Sequence, residues 1–236
     1  MPEKEISTLQ GRSFSFFGIF CVNPVCLGIV RECWWFCALL LFLRQTGIFM
    51  VAFLKNIRRR RRIKALEGQH IQVFPKVEEL GSVALVWRVD APDEVLQLDE
   101  VMDFFKCAHL QASIVVVEHG KAFKNKQARE EFSLLCEERG VFFIPKAQLK
   151  WYGFPKGDVV KQLFLGNKYD MAICLCPVQD FTVEYLAAGI KSNFKTGMCL
   201  PQWCNFSFIL ERGQVHPSAA EYLTALFEYM RKMRQE

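Results

Sequence analysis

The motifs that identify most nucleotide-binding and hydrolytic α/β enzymes are missing from this sequence. No G-x-G-x-x-G and no G-x-x-x-x-G-K-[ST] occurs, so the usual signatures of dinucleotide and phosphate-loop binding are absent. A G-x-S-x-G nucleophile elbow and an H-x-x-x-H pair are absent as well, and the 236 residues include only four histidines. We therefore predict no catalytic residue and no cofactor.

Cysteine is plentiful, but its spacing is not that of a metal or redox site. None of the ten cysteines forms a C-x-x-C pair. Cys107, Cys136 and Cys174 fall at predicted core positions, where a thiol acts as a small apolar group. We expect Cys174 and Cys176 to point to opposite faces of a strand and so not to share a metal. The sequence predicts reduced thiols, as in cytosolic proteins, and no metal site.

Acidic residues are missing from residues 50–64, which carry a net charge of +7. The 172 residues that follow carry −3, so the protein is not a broadly basic nucleic-acid-binding fold. No aromatic platform interleaves the basic run, which makes nucleic acid an unlikely partner. At ~1 kcal/mol per basic residue, the run favours an anionic membrane surface. The alternative is a solvated, mobile segment. The residues expected to contact lipid are Lys55, Arg58, Arg59, Arg60, Arg61 and Arg62.

Residues 1–49 are hydrophobic, and their role stays open at this stage. The segment 34–54 is long enough to cross a bilayer core of ~30 Å, but Arg44 lies in its middle. Its eleven Leu, Ile, Phe and Val residues contribute roughly −3 to −7 kcal/mol and Arg44 costs about +3 kcal/mol, so insertion is borderline. Three alternatives remain: upstream sequence before a true start at Met50, a single span within 34–54, or a folded appendage. These alternatives place the protein in the cytoplasm or on the cytoplasmic side of a membrane.

From residue 71 onward, short apolar runs alternate with amphipathic segments. The runs predict strands at 83–89, 113–117, 141–144, 170–176, 194–196 and 205–210. Helices are predicted at 93–108, 125–139, 158–165, 181–190 and 217–233. Continuous apolar strands between amphipathic helices indicate a parallel sheet covered on both faces. We predict a three-layer α/β sandwich with five or six mostly parallel strands, Rossmann-like or flavodoxin-like, over 71–236. Residues 50–70 precede it as a basic helix or linker, and residues 1–49 as a hydrophobic segment.

Ligands of doubly wound sheets bind beyond the carboxyl ends of the strands. That rule selects Asp90, Glu118, His119, Lys146, Asp180 and Thr196-Gly197. Asp90 is placed to orient the histidine. Trp151, in an aromatic loop, is a further candidate that either stacks on a ligand or plugs the edge of the sheet. The plainer alternative is that these are ordinary polar residues at strand ends. Because the turn 90–94 carries three carboxylates, we expect it to repel a pyrophosphate.

Five segments in a recognisable order carry a resemblance to a known family. They are Val89-Asp90-Ala91, Trp151-Tyr152-Gly153-Phe154-Pro155, the run 169–175, Glu184-Tyr185-Leu186-Ala187 and Phe194-Lys195-Thr196-Gly197. Together they resemble an uncharacterised bacterial domain-of-unknown-function family whose members often begin with a basic helix like that after Met50. The resemblance covers roughly residues 50–236 and implies a Rossmann-like domain, but no reaction, cofactor or catalytic residue. It favours Met50 as the natural start.

Two functional hypotheses remain. The first is a non-enzymatic binding or scaffold domain at or near the cytoplasmic face of a membrane, with a protein or a small molecule as partner. The second is an enzyme or a binder of a nucleotide-like ligand that uses the crevice at the carboxyl ends of the strands. The second hypothesis requires that Asp90, Glu118 and His119 converge on one pocket.

Overall fold

The structure is a computed structural model that describes residues 50–66, 74–150, 153–155, 167–211 and 218–233. The chain divides into two compact units, residues 1–52 and 53–236, and only residues 50–52 of the first are described. Residues 34–49 of the predicted span, the predicted helix 158–165 and Trp151 lie outside the described residues. Within the described ranges, no helix combines the length and the apolar character that crossing a bilayer requires.

In the part of the chain that the structure describes, six parallel strands form one sheet in the order β3-β2-β1-β4-β5-β6. The strands are β1 (Ser82–Val89), β2 (Gln111–Glu118), β3 (Phe142–Ile144), β4 (Lys168–Leu175), β5 (Lys191–Gly197) and β6 (Phe208–Ile209). Strand order reverses at the seam between β1 and β4, where Leu85 pairs with Ile173. This is the Rossmann order, which differs from the flavodoxin-like one. The predicted three-layer α/β fold is confirmed.

Helices cover both faces of the sheet. They are α1 (50–66), α2 (Pro92–Val95), α3 (Leu98–Cys107), α4 (Lys126–Glu138), α5 (Phe181–Gly189) and α6 (Ala219–Lys232). Odd-numbered residues of β1, such as Leu85, pack with α3, α4 and α6, whereas even-numbered ones, such as Val86, pack with α5. Because alternate residues of a strand point to opposite faces, β1 contributes side chains to two separate apolar clusters. This explains why its sequence is one continuous apolar run.

Two expectations for the cysteines were wrong. Cys174 and Cys176 both pack in the cluster beside α5, because residues two apart on a strand share a face. Cys107 is exposed rather than in the core. The buried stripe of α3 runs through Val101 and Phe105, and Cys107 lies two residues beyond, about 200° further round the helix.

Helix α1 is docked on the α/β domain through its second half. Ile63 is completely buried and packs in an apolar cluster with Phe154, Phe181 and Ala188. Arg59 is half-buried, whereas Arg58 and residues 60–62 are exposed. The basic run is therefore part of an ordered helix with an inner and an outer face.

Candidate functional site

A buried arginine joins the carboxyl ends of the two central strands. Arg88, next to last in β1, places Nε 2.8 Å from Oδ2 of Asp90 and Nη1 3.1 Å from Oδ2 of Asp180, which follows β4. The Arg88 side chain is only 11% exposed. Burial by itself lowers the pKa of Arg88, but the hydrogen bond to Asp90 and the nearby negative charges more than offset it and leave the pKa raised. Arg88 therefore stays a cation that ties the two strand ends together.

His119 follows β2 and joins the same cluster. Its Nδ1 lies 3.0 Å from Oδ1 of Asp90 and 2.8 Å from Nη2 of Arg88, and its Nε2 lies 3.8 Å from Oδ2 of Asp180. Because a guanidinium only donates, Nδ1 accepts from Arg88 when it is unprotonated and donates to Asp90 when it is protonated. The imidazole thus has two mutually exclusive hydrogen bonds at one nitrogen.

Asp180 has a structural role in addition to its ion pair. Its Oδ1 accepts from the backbone N of Thr182 at 2.8 Å and of Val183 at 3.0 Å, which makes it the N-cap of α5. An aspartate at this position satisfies two otherwise unpaired N–H groups and suits the helix dipole. One carboxylate therefore begins the helix and holds Arg88.

Glu118 is not brought together with the other predicted residues. It is 2% exposed and accepts from Nε and Nη2 of Arg129, at 2.9 and 2.7 Å, and from the backbone N of Lys146 at 2.8 Å. These bonds join β2 to α4 and to the turn after β3. Asp90, His119 and Asp180 lie together, whereas Glu118 is part of a separate structural contact, so Asp90, Glu118 and His119 do not converge on one pocket as the second hypothesis required. Ligand binding by these residues stays a prediction.

A cavity of about 450 Å³ lies at this edge of the sheet, and we call it the carboxyl-edge cavity. Its size is within the range of small-molecule sites. Its walls come from α1, from the segments after β2, β3 and β4, and from the loop 202–204. Among its lining residues are Arg59, His119, Lys146, Lys150, Asp180 and Trp203. Among the described lining residues, Arg59, Lys146 and Lys150 are cations, and the acid Asp180 is paired with Arg88.

Helix α1 was expected to contact lipid, but Arg59 faces the domain. Its guanidinium lies 4.3 Å from the centre of the Phe181 ring and 5.9 Å from that of Trp203. Cation–π contact of this kind holds the charge beside the cavity. The sequence did not reveal this role, because Arg59 and Phe181 are more than a hundred residues apart.

Gly153 allows the close approach of two segments of the cavity wall. Its φ is +89°, and a Cβ there would come within 3.1 Å of the Phe181 ring and 3.2 Å of the Thr182 hydroxyl. The Gly153 carbonyl accepts a hydrogen bond from that hydroxyl at 2.8 Å. A glycine is thus required both by the backbone conformation and by space.

Glu184 positions the loop that carries Trp203 and was missed by the sequence analysis. It is 4% exposed, and its carboxylate accepts from the backbone N of Gln202 at 3.1 Å and of Trp203 at 2.5 Å. Burial raises the pKa of Glu184, and these bonds only partly oppose that shift. The available signal was an acid within the otherwise apolar helix α5, a position that calls for buried partners.

A second cavity of about 390 Å³ opens beside α2 and the start of α6. It is lined by Trp87 and Arg88 and by the carboxylates of Asp90, Asp93 and Glu94. Glu94 accepts from the backbone N of Asp90 at 2.6 Å and so holds the turn after β1. The expected repulsion of a pyrophosphate at this turn stays a prediction.

The thiols of Cys174 and Cys176, at the end of β4, are buried and of low reactivity. Burial raises the pKa of Cys176 to about 12 and that of Cys174 well above its ordinary value. Their thiolate fraction at neutral pH is therefore very small. In the described ranges, no three His, Cys, Asp or Glu side chains are grouped so that they could hold a metal ion.

Comparison with known proteins identifies a family but no characterised relative. No curated protein and no solved structure matches the chain. The match to a family covers most of the α/β domain and the docked part of α1. Over residues 55–232 the chain belongs to the family of unknown function DUF6913.

Proposed function

We propose that the protein binds a small ligand bearing a phosphate or carboxylate group in the carboxyl-edge cavity. The observation that supports this most directly is that Arg59, Lys146 and Lys150 line one cavity. They come from two different parts of the chain, α1 and the segment after β3. Among the described lining residues the acid is Asp180, which is paired with Arg88 at 3.1 Å. An anion is the ligand that this charge distribution favours.

The size and the walls of the cavity favour a ligand of about mononucleotide size. A volume of about 450 Å³ accommodates a phosphate together with a flat ring. Trp203, which is partly exposed, supplies an aromatic wall on which such a ring stacks. The phosphate would lie away from the acidic turn after β1, unlike that of an ordinary dinucleotide in this fold.

The test compares two double variants with the same change of charge. Lys146→Gln/Lys150→Gln removes two cations from the cavity. Lys168→Gln/Lys191→Gln removes two exposed lysines at the amino ends of β4 and β5, the opposite edge of the sheet. Calorimetric titration with AMP and with inorganic phosphate should show binding to the wild type and the control. The cavity variant should bind at least about 10-fold more weakly, because each lost charge-assisted hydrogen bond contributes about 1.5–3 kcal/mol. Equal affinities of both variants, or no binding by the wild type, would overturn the proposal.

A second candidate function is hydrolysis of a phosphate ester in the same cavity. The observation in its favour is that Nδ1 of His119 lies 3.0 Å from Oδ1 of Asp90, an arrangement in which a carboxylate orients a general base. In such a reaction Nε2 of His119 takes a proton from water and the water oxygen forms a bond to phosphorus. The ester P–O bond breaks, and its electron pair leaves with the alkoxide or phenolate oxygen. Release of p-nitrophenolate from p-nitrophenyl phosphate by the wild type but not by His119→Gln would favour an enzyme. No release by either protein would leave ligand binding as the function.

A further inference from the structure

We infer that the outer face of α1 binds the surface of an anionic lipid bilayer. The inference is independent of the ligand of the carboxyl-edge cavity, because it uses residues on the opposite side of the helix. It specifies the membrane contact that the basic run predicted and assigns it to particular side chains. Arg59, which that prediction included, is excluded since it packs on Phe181.

The inner face of α1 is fixed, so its outer face is presented in a defined orientation. Arg59 and Ile63 are four residues apart and therefore lie on one side of the helix, the side that packs on the domain. At about 100° per residue, Leu54, Arg58 and Arg61 lie within roughly 40° of the direction opposite to Ile63. Arg62 lies at the edge of the same face.

The outer face combines exposed cations with exposed apolar side chains. Arg58, Arg61, Arg62 and Lys64 are all exposed, and residues 53–66 contain no acid. Arg60 is not part of this face, because its guanidinium lies 6.0 Å from the centre of the Trp203 ring. Phe53 and Leu54 precede them and are 63% and 52% exposed. An ordered amphipathic helix with basic and apolar residues on its free side is typical of helices that lie in a bilayer interface.

The apolar residues distinguish lipid from nucleic acid as the partner. Phosphates of either partner would attract the arginines equally well. A bilayer also offers an apolar phase for Phe53 and Leu54, whereas the outer surface of a nucleic-acid duplex presents charged phosphates and sugars. The observed order, with apolar residues first and arginines after them, therefore favours a lipid surface.

The experiment measures binding of the full chain to vesicles, with variants matched in charge. Vesicles of phosphatidylcholine alone are compared with vesicles that contain about 30 mol% phosphatidylglycerol. The test variant is Arg58→Gln/Arg61→Gln/Arg62→Gln. The control is Lys126→Gln/Lys168→Gln/Lys191→Gln, three exposed lysines of the α/β domain. All proteins keep residues 1–49, so a difference between variants reports α1 alone.

The wild type and the control should bind the anionic vesicles more tightly than the neutral ones, and higher salt should weaken that preference. The arginine variant should bind the anionic vesicles on the order of 100-fold more weakly, since each basic residue contributes a factor of about five. Arg58→Lys/Arg61→Lys/Arg62→Lys should retain binding because its charge is unchanged.

Phe53→Ser/Leu54→Ser should also weaken vesicle binding while leaving any affinity for duplex DNA unchanged. Three outcomes would overturn the inference. They are equal binding to neutral and anionic vesicles, equal binding by the arginine variant and the lysine control, and displacement of the protein from anionic vesicles by an equal phosphate concentration of duplex DNA.

Discussion

At the scale of single residues, the buried charge of Arg88 is the feature on which the site depends. Asp90 and Asp180 approach one guanidinium from the ends of two different strands. Removing the cation leaves two carboxylates close together with no positive partner, which is far more costly than losing a surface pair. The cluster is therefore a structural tie that also contributes Asp180 to the wall of the carboxyl-edge cavity.

This argument predicts the effect of Arg88→Met on stability. The free energy of unfolding should fall by about 3–5 kcal/mol, because the buried Asp180 carboxylate loses its partner. Lys106→Gln is the control, since the Lys106–Asp103 pair is 65% and 67% exposed and should contribute less than about 1 kcal/mol. Urea unfolding followed by circular dichroism gives both values. If Arg88→Met lowered the free energy of unfolding no more than Lys106→Gln does, the role assigned to the buried pair would be contradicted.

Asp170 ties the same two strands at their amino ends. Its Oδ2 accepts from the backbone N of Gly81 at 3.0 Å and of Ser82 at 2.9 Å, and from the Ser82 hydroxyl at 3.0 Å. Partial burial by itself raises the pKa of Asp170, but these bonds and the charge of Lys168 outweigh it, so the pKa is lowered. The seam between β1 and β4 is thus held at both ends by a charged side chain.

The lowered pKa of Asp170 predicts how stability depends on pH. A carboxyl whose pKa is lower in the folded state stabilises the fold above its unfolded pKa, and that contribution is lost as the pH falls through the folded value. Asp170→Asn should therefore destabilise the protein at pH 7, by about 1–3 kcal/mol, and the difference from wild type should shrink below about pH 4. Asp103→Asn, at an exposed position, should be nearly neutral at both pH values. Thermal unfolding across this range measures the difference.

At the scale of elements, periodicity predicted most of the secondary structure. The apolar runs at 83–89 and 113–117 became β1 and β2, and the amphipathic segment 125–139 became α4 with Asn125 as its N-cap. The predicted helix 93–108 is two helices, and Gln97 at the break accepts from the backbone N of Ala219 at 2.8 Å. That contact joins residues 122 positions apart, so no local pattern could reveal it.

The candidate site was predictable only in part, for the same reason. A general rule placed Asp90, His119 and Asp180 at one edge of the sheet, and there they converge. Arg88 was overlooked because it stands within an apolar strand, and the separate position of Glu118 was not foreseen because its partner Arg129 lies on the following helix. Docking of α1 depends on Ile63 meeting Phe181, which is a tertiary contact with no signature in either segment.

The docking of α1 can be tested with a protease. Ile63→Asp places a charge in the apolar cluster and should release the helix, because an unpaired buried carboxylate is strongly unfavourable. Trypsin should then cut after Arg59, which is held against Phe181 in the wild type. Ala65→Asp changes the exposed side of the same helix and should leave the rate of cleavage at Arg59 unchanged. Mass spectrometry of the fragments identifies the site, and equal cleavage in both variants would show that Ile63 does not anchor the helix.

At the scale of the whole molecule, strand order determines both where ligands approach and which parts unfold together. β1 pairs with β2 over eight residues and with β4 over five. The side chains of Arg88 and Asp170 both join the ends of β1 and β4. At the sheet edge, β6 pairs with β5 over only two residues. The β1–β4 seam is therefore buried on both sides and joined by a charged side chain at each end, whereas β6 is held by very few backbone hydrogen bonds.

Hydrogen exchange should separate these two regions. Amides of β1 and β4 should exchange only through global unfolding, since opening either strand breaks pairing on two sides, whereas amides of β6 should exchange through local opening. Arg88→Met should lower the exchange free energy of β1 and β4 by the same amount as it lowers global stability, because it removes a contact of the globally unfolding unit. The exchange free energy of β6 should stay unchanged in that variant, because local opening does not involve Arg88. Peptide-resolved mass spectrometry measures all three strands at once. Equal protection of β6 and β1 in the wild type would show that the sheet unfolds as one unit, and that the β1–β4 seam is no more stable than the sheet edge.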